Sequence, residues 1–144
     1  MISKTYKVKL VSQASAIAFV ILILLGFFIT VHFFLSKINS TLFLGTWVIV
    51  SYFLWQRFVT GRTEWTLTND NLKIVWTKRP LERTKDLTLE CTEISNISKG
   101  LDPQYYHLKI SLTSGETLSY FHDHLTTRDD FEELIVILKQ RFNT

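Results

Sequence analysis

The sequence predicts a membrane α-hairpin joined to one small α+β domain, an antiparallel curled sheet or half-open barrel of about six or seven strands capped by a C-terminal helix. Three observations lead there. Leu10 to Ser36 and Ile38 to Gln56 each contain at most polar or apolar residues and no Asp, Glu, Lys or Arg. At a helical rise of about 1.5 Å per residue, both are long enough to cross a hydrocarbon core of roughly 30 Å. From Thr63 the apolar period falls to two, the mark of half-buried strands, and after Asp129 it returns to helical spacing.

The first element is the hairpin, with spans at about 12–35 and 40–57 inside an anchor of residues 1–61. Its first apolar run far exceeds the roughly 7 to 15 residues of a signal-peptide core, so a retained anchor is expected. Lys4, Lys7 and Lys9 precede the first span, Lys37 alone lies between the two, and Arg57 and Arg62 follow the second. The positive-inside bias then places both termini in the cytoplasm and a tight turn at Ser36 to Thr41 outside the cytoplasmic membrane. Trp55 and Phe58 beside Arg57 read as an interfacial belt. Ser12 with Ala16, Ala14 with Ala18, Gly26 with Thr30, and Gly45 allow close helix approach, packing the hairpin on itself or on a second copy as a homo-oligomer. With no acidic or basic residue inside either span, a transport path is not expected; His32, toward the outer end, reads as a headgroup-level histidine.

Residues 62–144 form the cytoplasmic domain, enough chain for one core. Trp65 and Leu67, then Leu72, Ile74 and Trp76, alternate with polar residues around the turn-forming Asn69, Asp70 and Asn71, an antiparallel hairpin. Further strands are expected at Thr84 to Cys91, Glu93 to Ser98, Tyr106 to Thr113 and Glu116 to Phe121. In the third of these, Tyr106, Leu108, Ile110 and Leu112 share one face and His107, Lys109, Ser111 and Thr113 the other. The last element is helical: Phe131, Leu134, Ile135, Leu138 and Phe142 form its apolar stripe, acidic residues crowd the first turn, Lys139 and Arg141 occupy the last, and Thr127 suits the N-cap. Cys91, the only cysteine, excludes an internal disulfide, and its spacing with Leu87 and Leu89 predicts a buried strand residue.

Charge narrows the partners. From Arg62 onward 11 basic residues face all 13 acidic ones, a net −2, so the overall +3 comes from the membrane flanks and nucleic acid is not an expected partner. Lys78, Arg79, Arg83 and Lys85 nevertheless cluster around Pro80. Held near a cytoplasmic leaflet, such a cluster attracts anionic headgroups at about 1 kcal/mol per basic residue. Trp65 and Trp76 join these four as expected contact residues for lipid or a protein partner, and with Tyr105, Tyr106, Tyr120 and Phe121 they supply enough aromatic surface for a ligand-binding cup. His122 and His124 have strand spacing for a metal, but without evident third and fourth ligands they read as a polar connection, and no metal or cofactor is expected. No phosphate-cradling glycine loop, Gly-flanked serine nucleophile or helical His-Glu pair is present, so an enzyme is not expected.

The run Glu64-Trp65-Thr66-Leu67-Thr68-Asn69-Asp70-Asn71-Leu72-Lys73-Ile74 resembles the opening hairpin of bacterial pleckstrin-homology-like domains that follow one or two membrane helices. Leu87-Thr88-Leu89, Ile94, Ile97, Leu108 to Leu112, Ser114-Gly115-Glu116 and the final helix follow in the same order, from Thr63 to Phe142. The resemblance implies a fold and a membrane-anchored layout with no activity attached. The expected function is a scaffold or regulatory module that binds a protein partner or anionic lipid headgroups. The alternative is a membrane effector whose soluble domain senses a small ligand, such as a nucleotide, and oligomerises the hairpins to permeabilise the bilayer.

Overall fold

Alternation begins well before Thr63: Tyr6, Val8 and Leu10 interleave with Thr5, Lys7 and Lys9, and this first stretch is a strand. The computed structural model describes residues 4–33, 37–81, 84–101, 106–123 and 129–142. In chain order the elements are β1 (Lys4–Val11), α1 (Gln13–Phe33), α2 (Lys37–Leu54), a π-helical turn (Trp55–Val59), β2 (Thr60–Leu67), β3 (Asn71–Lys78), β4 (Leu87–Glu90), a 3-10 turn (Cys91–Glu93), β5 (Ile94–Leu101), β6 (Tyr106–Leu112), β7 (Thr117–His122) and α3 (Phe131–Phe142). Helices α1 and α2 are both long and apolar enough to cross a membrane.

All seven strands form one antiparallel sheet in the order β4-β3-β2-β1-β7-β6-β5. β4 and β5 are its two edges and do not pair with each other, so the sheet is open and never closes into a barrel. The hairpin, the capped antiparallel sheet and the terminal helix expected from sequence are all present. What the sequence reading did not foresee is β1, which lies mid-sheet. It pairs with β2 from Lys4↔Leu67 to Val11↔Thr60, and with β7 at Leu10↔His122 and Val11↔Phe121. Lys4, Lys7 and Lys9 are therefore strand residues as well as flanking charges.

The hairpin is thus an insertion between two paired strands. No tether separates hairpin from sheet: α2 runs through the π-helical turn straight into β2, and Ser12 alone separates β1 from α1. Ser12 serves both sides of this junction. Its N–H donates to the Val59 carbonyl at 3.0 Å, and its Oγ accepts the Ser15 N–H at 3.2 Å as the N-cap of α1. A small second core of Val11, Ala16 and Val59, flanked by Phe19, Trp55 and Phe121, fastens the helices to the sheet. Higher up, Gly26 lets α1 lie against the Trp47 indole, which an added Cβ would overlap, whereas Gly45 faces open space. Of the small residues singled out from sequence, Gly26 makes the interhelical contact; Ala14 and Ala18 are exposed.

The main core lies on one face of the sheet under α3. Trp65, Leu72, Ile74, Ile97, Leu108 and Ile110 are fully buried there beside Phe131, Leu134, Ile135 and Leu138 of the helix. The N-terminal end of α3 is pinned to β1: Asp130 Oδ2 accepts the Lys7 N–H at 2.8 Å, and the Asp130 N–H donates to the Lys7 carbonyl at 3.1 Å. Thr127, the expected N-cap, lies outside the described residues, and Asp129 Oδ1 accepts the Phe131 N–H at 3.2 Å.

Three local expectations are corrected. Cys91 is only half-buried, because β4 ends at Glu90 and the chain turns. On β6, His107 is buried although it shares the face of exposed Lys109, since Gly100 on neighbouring β5 leaves room for its ring and Phe121 packs 5.7 Å away. The aromatic cup forms only in part: Trp65 is withdrawn into the core, where it meets Tyr120 edge to face at 5.0 Å, while Trp76, Tyr120 and Phe121 line a surface cavity of about 380 Å³ beside the start of α1.

Candidate functional site

Strand register sets the chemistry of the face opposite α3. Lys9 and Arg62 are direct partners on β1 and β2, and across a β-bulge at Arg62/Thr63 Lys78 of β3 pairs with Arg62, which gathers three cations in a row across β1, β2 and β3. Like charges in this arrangement repel, and Arg57 on the π-helical turn adds a fourth charge close by. Burial, then Arg62, Lys9 and Arg57, holds the Lys78 ammonium below the usual lysine range. The row lies at the end of the sheet where α1 and α2 attach.

Individual partners offset part of this charge. Lys9 Nζ sits 3.2 Å from the fully buried Asp123 carboxylate and donates to Gln56 Oε1 at 2.9 Å. Lys78 Nζ donates to the Gln56 backbone carbonyl. Lys7 approaches Glu64 at 4.0 Å, a weak exposed pair. Arg57 and Arg62 have no carboxylate partner among the described residues; Arg57 lies over the Phe58 ring. A surface cavity of about 360 Å³ opens here, lined by Lys7, Lys9, Arg62, Glu64, Thr77 and Asp129 among others. Its cations outnumber its carboxylates.

Behind the row, Asp129 ties three elements together. Its carboxylate accepts hydrogen bonds from His122 Nε2 at 2.9 Å, the Lys9 N–H at 2.8 Å and the Phe131 N–H. Burial alone would raise its pKa, but the hydrogen bonds from His122 and the Lys9 amide outweigh it and hold the carboxyl below its usual range. The His122 ring stacks on Phe131 at 4.1 Å. His122 is thus committed to the fold, and no cluster of three metal-ligating groups occurs among the described residues; His124 lies outside them.

The loop after β3 is drawn toward the same junction. The Leu81 N–H donates to the Phe58 carbonyl at 2.8 Å, and glycine at position 61 admits Trp76, the Lys78 carbonyl and Pro80 at close range. Phe58 and Leu81 are left exposed beside Arg57 and Arg79. Two apolar tips among cations at the foot of a hairpin are suited to the boundary between hydrocarbon and headgroups.

The six contact residues expected from sequence are dispersed. Lys78 joins the row; Arg79 pairs with Asp86 at 3.1 Å; Lys85 is exposed; Arg83 lies outside the described residues. Trp76 is half-buried over Gly61, and its N–H is held by Asp86 at 2.8 Å, which with Arg79 keeps that carboxyl below its ordinary range. Trp65 is withdrawn from contact altogether: it is fully buried and its Nε1 donates to Thr63 Oγ1 at 2.8 Å. Lys9 was missed as a site residue because its proximity to Lys78 depends on β1 entering the sheet, and Arg57 and Arg62 because β2 begins at Thr60, before the strand start at Thr63 read from the alternation, so that Arg62 pairs with Lys78. The alternation of Tyr6, Val8 and Leu10 was the available signal.

No family model matches the chain, and neither a curated protein nor a solved structure does.

Proposed function

We propose that the protein is a non-enzymatic module of the inner membrane, with both termini cytoplasmic, whose pleckstrin-homology-like sheet engages anionic lipid headgroups at the foot of its own hairpin. The observation that carries this reading is the cross-strand row Lys9–Arg62–Lys78 with Arg57, positioned where α1 and α2 meet the sheet. A phosphate there relieves repulsion that the fold otherwise bears, and the low-dielectric edge of the bilayer strengthens the attraction. The exposed Phe58 and Leu81 support the same placement. A lipid reading is favoured over a protein partner because the charged surface adjoins the membrane helices and, of the two expected aromatic contacts, Trp65 is buried and Trp76 half-buried.

The test is thermal unfolding of the full chain in nanodiscs of phosphatidylcholine with and without phosphatidylglycerol. A ligand that binds only the folded state raises its stability in proportion to the logarithm of its concentration. The anionic lipid should raise Tm, and Arg62→Gln with Lys78→Gln should remove most of that gain. Equal Tm in both lipids rejects the proposal.

The effector alternative draws support from one feature, the absence of any linker between sheet and hairpin, through which a change in one is passed to the other. Dye release from vesicles holding the protein, dependent on an added nucleotide, would favour it.

A further inference from the structure

A groove of about 510 Å³ runs between α1 and α2, walled by Phe19, Ile23, Trp47, Ser51, Trp55 and Gln56 among others. Trp47, Ser51 and Trp55 follow one another at four-residue spacing, so they share one face of the helical segment, and Gln56 closes its lower end. From Trp47 to Gln56 the helical rise covers about 14 Å, roughly half a hydrocarbon core and hence one leaflet. Trp47 Nε1, Ser51 Oγ, Trp55 Nε1 and Gln56 Nε2 are all buried without a hydrogen-bond partner. Such groups are costly in an apolar setting. At the groove's foot Gln56 meets both the Lys9 ammonium, through Oε1, and the Lys78 ammonium, through its carbonyl. The apolar channel is therefore continuous with the cation row.

We infer that this groove seats one acyl chain of a glycerophospholipid, so that a single lipid is held as a stoichiometric ligand. Its length matches one leaflet, its walls are apolar, an ester carbonyl supplies the acceptor that Trp55 and Gln56 lack, and the phosphate arrives at Arg57, Arg62 and Lys78. The inference deepens the headgroup reading and rests on it for the sign of the lipid's charge alone.

Native mass spectrometry of the detergent-purified full chain, incubated with equimolar phosphatidylglycerol and phosphatidylcholine, reads the result. One retained lipid per chain is expected, and Ser51→Phe, which fills the groove, should cut it at least tenfold. Gly45→Leu, which points into open space, should leave it unchanged. Ser51→Leu repeats the test with a smaller side chain, and helix content by circular dichroism checks that each variant retains its hairpin. An adduct unaffected by both Ser51 variants, no retained lipid in the parent chain, or loss of a protein dimer instead of a lipid would each overturn the inference. A lipid adduct lost with Ser51→Phe but equal for the two headgroups would support the groove while rejecting the anionic preference.

Discussion

Leu108 and Lys109 are neighbours in β6 with opposite fates: the first is fully buried in the main core and the second is exposed. Leu108→Asp should destabilise the domain by more than about 4 kcal/mol, since it strands a charge among apolar side chains, whereas Lys109→Asp should stay within about 0.5 kcal/mol. Denaturant unfolding in detergent measures both; equal effects would mean a wrong register. Asp129 gives the pH counterpart. Its folded pKa is depressed, so its stabilising contribution is complete above the ordinary carboxylate range and is lost as pH falls through the lower folded value. Asp129→Asn should therefore lower Tm near neutrality, and the difference from the parent should close below about pH 4. A gap that persists in acid would show that the His122 and Lys9 hydrogen bonds do not depend on the charge.

Among elements, β1 has the largest consequence. A basic lead-in to a membrane span would tolerate a polar substitution at Val8, but Val8 is 2% exposed in the main core and its strand joins the two halves of the sheet. Val8→Asp should cost more than about 4 kcal/mol and expose β2 and β7 to limited proteolysis. A silent Val8→Asp would put β1 outside the sheet. The junction after β1 is smaller in effect: Ser12→Ala removes the N-cap of α1 and should cost about 1 kcal/mol by the same unfolding assay. Much of this was legible in the chain. β2, β3, β6, β7 and α3 follow directly from alternation and helical spacing around strong turn residues, because side chains of a half-buried strand or helix repeat with the backbone. β1 was obscured because its Leu10 and Val11 merge into the apolar run of α1, so charge flanking a span masked a strand period.

For the molecule as a whole, the insertion of the hairpin between β1 and β2 joins the two apolar helices and the sheet without a linker. It also concentrates positive charge where a bilayer surface would lie, and charge of one sign held together is sensitive to screening. Replacing Arg62 and Lys78 together by Gln should raise stability in neutral detergent at low salt by about 0.5 to 1 kcal/mol, and the gain should shrink at 1 M salt, where the Debye length falls to about 3 Å. A loss of stability at low salt would mean that the row is compensated within the fold.

Composition and periodicity settled the two apolar helices, the strand-rich domain and its helical cap, because hydrophobic spacing is a local property that each element carries in its own residues. The position of β1, the burial of Trp65 and the gathering of Lys9, Arg57, Arg62 and Lys78 were settled by pairing between strands, β1 with β2 some 50 residues further along the chain and β2 with the neighbouring β3. Such proximity depends on which strands become neighbours and in which register, and a one-residue slip would send the same side chains to the opposite face.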